Sequence, residues 1–185
     1  MTFFKFASTV VALPLAALSA TACTEPLFPA AVVKDLDPSM QMGIFNPEAD
    51  TYFKGQLGQV GGRVIAVAQT DDGVFVTADE LPLSDHATSL AETAKSGGQF
   101  IFLYRGVIDR AALQRGNKFI MIGIVEGTQR ISIDGIQRTL PYLVARCVHV
   151  WKTGTYDIAD FPDLTDGYTP LVRQTYCSTS SKNSP

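Results

Sequence analysis

Three cysteines, two histidines and a loose group of carboxylates are the side chains of this 185-residue chain with the widest chemical reach. Cys147, His149 and Trp151 alternate along one β-prone run, which puts all three on one face of a strand. A Cys and a His side by side suit zinc, but a zinc site takes three or four such ligands, and no matching pair stands nearby in sequence. A packed strand histidine is the simpler account of His149. Asp79, Glu80, Asp85 and His86 surround Leu81-Pro82-Leu83 without the regular ligand spacing of a calcium loop, so they read as a solvated loop face. Asp71-Asp72-Gly73 and Asp134-Gly135 are turn sequences first, and neither has an assignable partner carboxylate for acid–base work. No nucleophile motif, phosphate loop or paired metal motif occurs. The sequence therefore offers no catalytic residue, no metal site and no cofactor, and is read as non-enzymatic.

Cys147 and Cys177 leave two alternatives open. A disulfide between them would close a loop of about 30 residues, worth about 3–4 kcal/mol in the chain-entropy model, and tie the C-terminus to the domain. Alternatively Cys147 is a buried free thiol and Cys177 lies loose in a frayed Ser/Thr-rich end. Sequence does not fix the close Cα approach that a disulfide needs.

Cys23 is different in kind. One early Lys5 precedes an uncharged run over residues 6–22 that closes Ala20-Thr21-Ala22-Cys23. A basic start, an apolar middle and small residues at the cut are the parts of a secretory signal peptide. The run is short and rich in Ala, Ser and Thr for a membrane span, which takes about 20 mostly apolar residues. A cysteine directly after small residues resembles the lipobox of bacterial lipoproteins, with Ala20 where Leu is commoner. That resemblance implies removal of residues 1–22 and lipidation of Cys23, which would be held by membrane lipid. The alternative is an ordinary secreted protein cut after Ala22. Thr24, rather than Asp, follows the cysteine, and by the same resemblance this directs the protein to the outer membrane, facing the periplasm.

Without residues 1–22 the chain keeps 163 residues, with 14 basic and 18 acidic side chains, enough for one domain with its own core. Charge is uneven along it. Residues 101–152 hold eight basic and three acidic side chains, while the remainder is acidic. Arg105, Arg110, Arg130 and Arg138 are the candidates for a surface that meets an anionic envelope lipid or an acidic envelope protein. An export signal takes nucleic acid out of reach. Scattered surface arginines balancing local acids are the plainer reading of the same residues.

The elements that must carry these residues are mostly strands. β-branched and aromatic runs at 60–68 and 74–78 flank Asp71-Asp72-Gly73, and runs at 130–133 and 136–140 flank Asp134-Gly135, two hairpin signals. The second hairpin would bring Arg130 and Arg138 near each other. Further runs at 99–108, 118–126 and 142–151 read as strands, with Pro141 breaking or bulging the last. Short helices fit residues 85–95 and 109–114, the second capped by Asp109 and stopped by Gly116. The expectation is an all-β fold: a small closed or nearly closed, OB-like barrel of about six strands with one or two short helices. Four prolines between 23 and 50 mark a lipidated tether, 51–155 the barrel, and 156–185 an acidic and polar tail.

The strand segment also carries a family likeness. Gly61-Gly62-Arg63-Val64-Ile65, Leu81-Pro82-Leu83, Gly106-Val107-Ile108-Asp109, Val125-Glu126-Gly127, Leu140-Pro141-Tyr142 and Val148-His149-Val150-Trp151 stand in order across residues 52–151. This set resembles the Slp-type, starvation-inducible outer-membrane lipoproteins. The acidic segment 156–166 and the cysteine-bearing end lie beyond the resemblance. It implies a lipid-anchored envelope protein with a structural, interaction or stress-related role and brings no catalytic residues. The alternative is a periplasmic ligand-binding module with a pocket at the barrel mouth near Tyr142 and Trp151.

Overall fold

The computed structural model describes residues 26–36, 54–83, 90, 97–133, 135–152 and 173–178. The expected signal peptide, Cys23, most of the expected tether, the helix expected over 85–95 (Leu90 apart) and the acidic segment 156–166 lie outside these residues. Among the described residues six strands form the fold: β1 (Leu57–Thr70), β2 (Gly73–Leu81), β3 (Gln99–Tyr104), β4 (Lys118–Ile133), β5 (Ile136–Trp151) and β6 (Arg173–Cys177). The expected all-β barrel is what the chain makes. Strands pair in the order β3-β2-β1-β4-β5-β6, and an added parallel pairing of β3 with β5 closes the first five into a ring.

Alternation explains the core. Val60 and Val64, Val76 and Ala78, Phe100, Phe102 and Tyr104, Phe119 and Met121, and Leu143 and Ala145 all turn inward. Phe102 and Phe119 meet at 5.2 Å between ring centroids, and Phe100 joins both, which fills the middle of the barrel with aromatic carbon. Gly61 and Gly62 are required by space on both faces of β1. A Cβ on Gly62 would run into the Phe119 ring, and one on Gly61 into Leu90 and the Leu81 carbonyl.

Three bulges bend the ring shut. They fall between Val64 and Ala66 in β1, between Val125 and Gly127 in β4, and opposite Ile122/Gly123, where Arg146 is the extra residue of β5. The third does more than bend. Tyr142–Ala145 pair with β3, whereas Cys147–Trp151 pair with β6 on the same edge. Arg146 thus marks where β5 changes neighbours and where its inward positions shift from Leu143 and Ala145 to Val148 and Val150.

Three sequence expectations differ in detail. β4 and β5 each merge two runs into 16-residue strands, so the expected hairpin is the far end of one long ribbon. Pro141 does not interrupt β5. It pairs with Thr128 where β5 has no neighbour but β4, and the irregularity falls on β4 instead. The expected helix at 109–114 is a 3-10 turn, Arg110–Leu113, with the Asp109 carboxylate accepting from the Ala111 N–H. Buried Asn117 donates to the Ala111 and Ala112 carbonyls and pins this turn across the barrel end.

Candidate functional site

The outer wall of the barrel carries two apolar faces. On the first, Ile120, Ile122 and Cys147 look outward from β4 and β5, the alternates of the inward Phe119, Met121 and Val148. Residues 27–36, including the short helix α1 (Ala30–Val33), lie across them as a strap: Phe28 is buried, and Leu27, Val32 and Leu36 pack around it. Part of the stretch read from sequence as a tether is therefore docked on the barrel, and Arg173–Cys177, read as tail, is a sheet strand.

Cys147 and Cys177 stand opposite each other in the β5–β6 ladder with Cα atoms 4.1 Å apart and are joined by a disulfide. Hydrogen bonding of Ser178 N–H to the Arg146 carbonyl makes the cysteines a non-hydrogen-bonded pair, the kind whose side chains lie closest. His149 sits two residues on, on the same face. Its Nδ1 is 2.7 Å from Thr175 Oγ1, and that hydroxyl donates to the Leu27 carbonyl at 2.9 Å. Thr175 has one proton to give, so its oxygen accepts from His149 Nδ1–H, which leaves Nε2 as a bare lone pair. Nε2 is buried with no hydrogen-bond partner among the described residues. Burial and the nearby Arg173 charge hold the His149 pKa down at about 4, so the ring is neutral at pH 7. Trp151 packs edge-on to it at 4.6 Å and Phe28 at 6.5 Å. Here the packed strand histidine is correct in kind, but its specific job, holding the strap through Thr175, has no sequence signal.

The second face is built by β2, β3 and β5. Ile101 and Leu103 point outward yet are 0% and 4% exposed. Phe75 and Tyr142, both half-buried, stack beside them at 6.0 Å. Burial pushes the Tyr142 hydroxyl pKa up, opposed by Arg105. At the other end of the β3 row, Arg138 donates to the Gln99 side chain at 3.0 Å.

The structure separates residues that the sequence grouped. Tyr142 and Trp151 do not share a pocket: they lie on the two different faces, nine residues or about 30 Å of strand apart. Arg130 pairs with Thr139 and Arg138 with Ile131, so the two arginines occupy opposite faces of the β4–β5 ribbon. Arg110 is on the 3-10 turn at the barrel end. Only Arg105 and Arg138 flank the Tyr142 face. The acidic cluster also divides. Asp79 pairs outward with Gln99, whereas Glu80 is 7% exposed and burial raises its pKa to about 7, so it is no solvated loop carboxylate. Among the described residues no three His, Cys, Asp or Glu side chains gather to hold a metal, and no helix is long and apolar enough to cross a membrane.

Comparison with known proteins is consistent with this anatomy. No curated protein sequence matches the chain. Among solved structures it is similar to the S. cerevisiae mitochondrial single-stranded DNA binding protein Rim1, at 8% identity over 55% of this chain and 99% of that one. The TM-score of 0.32 is too low to bear on fold or ligand. The family model described as the outer membrane lipoprotein Slp family matches residues 20–177. That span starts at the small residues before Cys23 and ends at Cys177 in β6, well beyond the strand segment that carries the sequence likeness. The chain belongs to the Slp family of outer membrane lipoproteins.

Proposed function

We propose that this protein is a non-enzymatic envelope lipoprotein, held by lipid on Cys23 to the periplasmic leaflet of the outer membrane, whose barrel presents a surface to another envelope component. The observation that carries this reading is the family match over residues 20–177, which spans the small residues at 20–22, the barrel and Cys177. The disulfide adds support, because such bonds persist in oxidising compartments such as the periplasm. Intact mass and membrane fractionation of the wild type beside Cys23→Ser, in a Gram-negative host, test it. The expected result is a lipid-sized mass increment and outer-membrane partition, both absent in the variant. A soluble product cut before Cys23 and carrying no lipid would overturn it.

A second reading has one observation in its favour. The stacked Phe75–Tyr142 pair lies on the outer β2–β3–β5 face of an OB-like ring, between Arg105 and Arg138. Aromatic carbon bounded by guanidinium groups suits an anionic amphiphile. On this reading the barrel binds such a ligand, and the anchor only delivers it to the membrane.

A further inference from the structure

We infer that the strap-covered face of the barrel, formed by residues 27–36 with the β5–β6 edge, lies against the membrane leaflet that holds the anchor. The inference rests on lipidation of Cys23 and adds an orientation to it. Cys23 and Leu27 are four residues apart, a reach of at most about 14 Å even fully extended. Leu27 is not free to swing. Its carbonyl accepts from Thr175, which is held in turn by His149, and Phe28 beside it is 5% exposed among Ile120, Ile122 and Cys147. The disulfide fixes β6, which carries Thr175, to β5. A lipidated Cys23 therefore cannot leave the barrel hanging on a long leash. The length read as tether is largely spent after the docking point, between Leu36 and β1.

The surface at this end fits a phospholipid headgroup layer. Lys34 and Arg173 are exposed on the strap and on β6, Asp35 is exposed beside Lys34, and Val33 is 38% exposed on α1. A small apolar projection among charges of both signs suits the polar headgroup layer of a phospholipid leaflet. The opposite end of β5 is far away. Ile136 opens the strand and Trp151 closes it, 15 residues or about 50 Å of extended chain apart. The β4–β5 tip thus stands clear of the anchor while Trp151 stays beside it.

Trp151 is the sole tryptophan of the chain, so it serves as its own reporter. The lipidated protein is reconstituted in phosphatidylethanolamine–phosphatidylglycerol vesicles containing a dansyl-headgroup lipid, and energy transfer from tryptophan is read. Transfer from Trp151 is expected to be several-fold stronger than from the double variant Ile136→Trp/Trp151→Phe. Inserting about 20 Gly/Ser residues after Thr24 should bring the Trp151 signal down toward that of the distal reporter. Equal transfer from the two positions, or a Trp151 signal indifferent to the insertion, would overturn the orientation while leaving the anchor intact. Intact mass separates the two levels: a chain without lipid overturns the anchoring reading and this inference with it.

Discussion

The two outer faces of this barrel are both apolar, and only one is shown to be closed by the chain's own strap. Ile120, Ile122 and Cys147 are covered by Leu27, Phe28, Val32 and Leu36, and a disulfide and a histidine relay hold the cover down. On the other side Ile101 and Leu103 are covered as well, while Phe75 and Tyr142 stay half-buried beside them, with Arg105 and Arg138 at the two ends of the β3 row. On the proposals made above the two faces divide the labour: one fixes where the barrel sits, and the half-buried Phe75–Tyr142 pair of the other meets a partner. Substitutions on the first face should cost stability and orientation, and those on the second should cost binding.

The largest effect is expected from the disulfide. Replacing Cys147 and Cys177 together by alanine should destabilise the protein by about 3–4 kcal/mol, as expected for a loop of this length. Denaturant melts of the two forms check this. The loss should be concentrated at β6 and the strap, so hydrogen exchange should rise first at Thr175 and Phe28 and last at Phe102 and Phe119. Uniform loosening of the barrel would erase the distinction between the faces.

Phe28→Ala comes next. Truncating a buried phenylalanine costs about 3 kcal/mol where the surroundings cannot collapse. Because Phe28 holds only the strap, much of that cost should appear as strap release rather than barrel unfolding. The expected reading is a modest drop in the main thermal transition, together with new protease cleavage between Leu27 and Leu36. A main transition that falls by the full amount would mean that strap and barrel are one cooperative unit.

How much of this was legible before any coordinates follows from what each feature depends on. Strand positions and the two hairpins could be read because alternation and Asp-Gly or Asp-Asp-Gly turns are local signals. Alternation along 118–126 makes both faces of β4 apolar, with Phe119 and Met121 on one and Ile120 and Ile122 on the other, but does not tell which is outward or what covers it. What covers such a face is a segment about 90 residues earlier, joined through Thr175 to a strand near the other end of the chain. Bulges were equally hidden: the one at Arg146 swaps the inward parity of β5, so Trp151 looks outward as Tyr142 does and is parted from it by the length of strand and the change of neighbour from β3 to β6. The hairpin at Asp134-Gly135 predicts Arg130 near Arg138, yet a two-residue turn puts them on opposite faces by register alone. Cys23 lies outside the described residues, and its reading rests on a signal wholly local to the sequence.

A pH series sharpens the comparison at intermediate cost. The fold prefers neutral His149, with its pKa held at about 4 against 6.5 ordinarily. Its contribution is therefore complete above about pH 6.5 and is lost as pH falls toward 4, a change of about 2 kcal/mol after allowance for solvent screening. Glu80 runs the other way. Its pKa is raised by burial to about 7 against 4.5, so its contribution is complete below pH 4.5 and lost as pH rises through 7. Between these limits the two slopes oppose and partly cancel. His149→Asn, which can still donate to Thr175, should remove the acid-side loss and leave stability falling only toward alkaline pH. Glu80→Gln should do the opposite and raise the melting temperature at pH 8. A His149→Asn variant that keeps the acid-side loss would show that another group titrates there.

The smallest effect on stability is expected at Tyr142, and there the second reading stands or falls. Tyr142 is half-buried and its stack on Phe75 is worth about 1 kcal/mol, so Tyr142→Ala should shift the thermal midpoint by only a few degrees. Lysophosphatidylglycerol, a single-chain anionic amphiphile, is a suitable probe for the soluble Cys23→Ser form below its micellar concentration. If the face binds such molecules, titration should saturate, and Tyr142→Ala should weaken it about tenfold, as a loss near 1.4 kcal/mol implies. Arg138→Gln should weaken it less, because Arg138 already donates to Gln99. The matching change on the strap side, Trp151→Phe, should leave this binding untouched and alter only the transfer signal at the membrane. Saturable binding that Tyr142→Ala and Trp151→Phe reduce equally would mean that the two faces do not divide the work as their packing suggests.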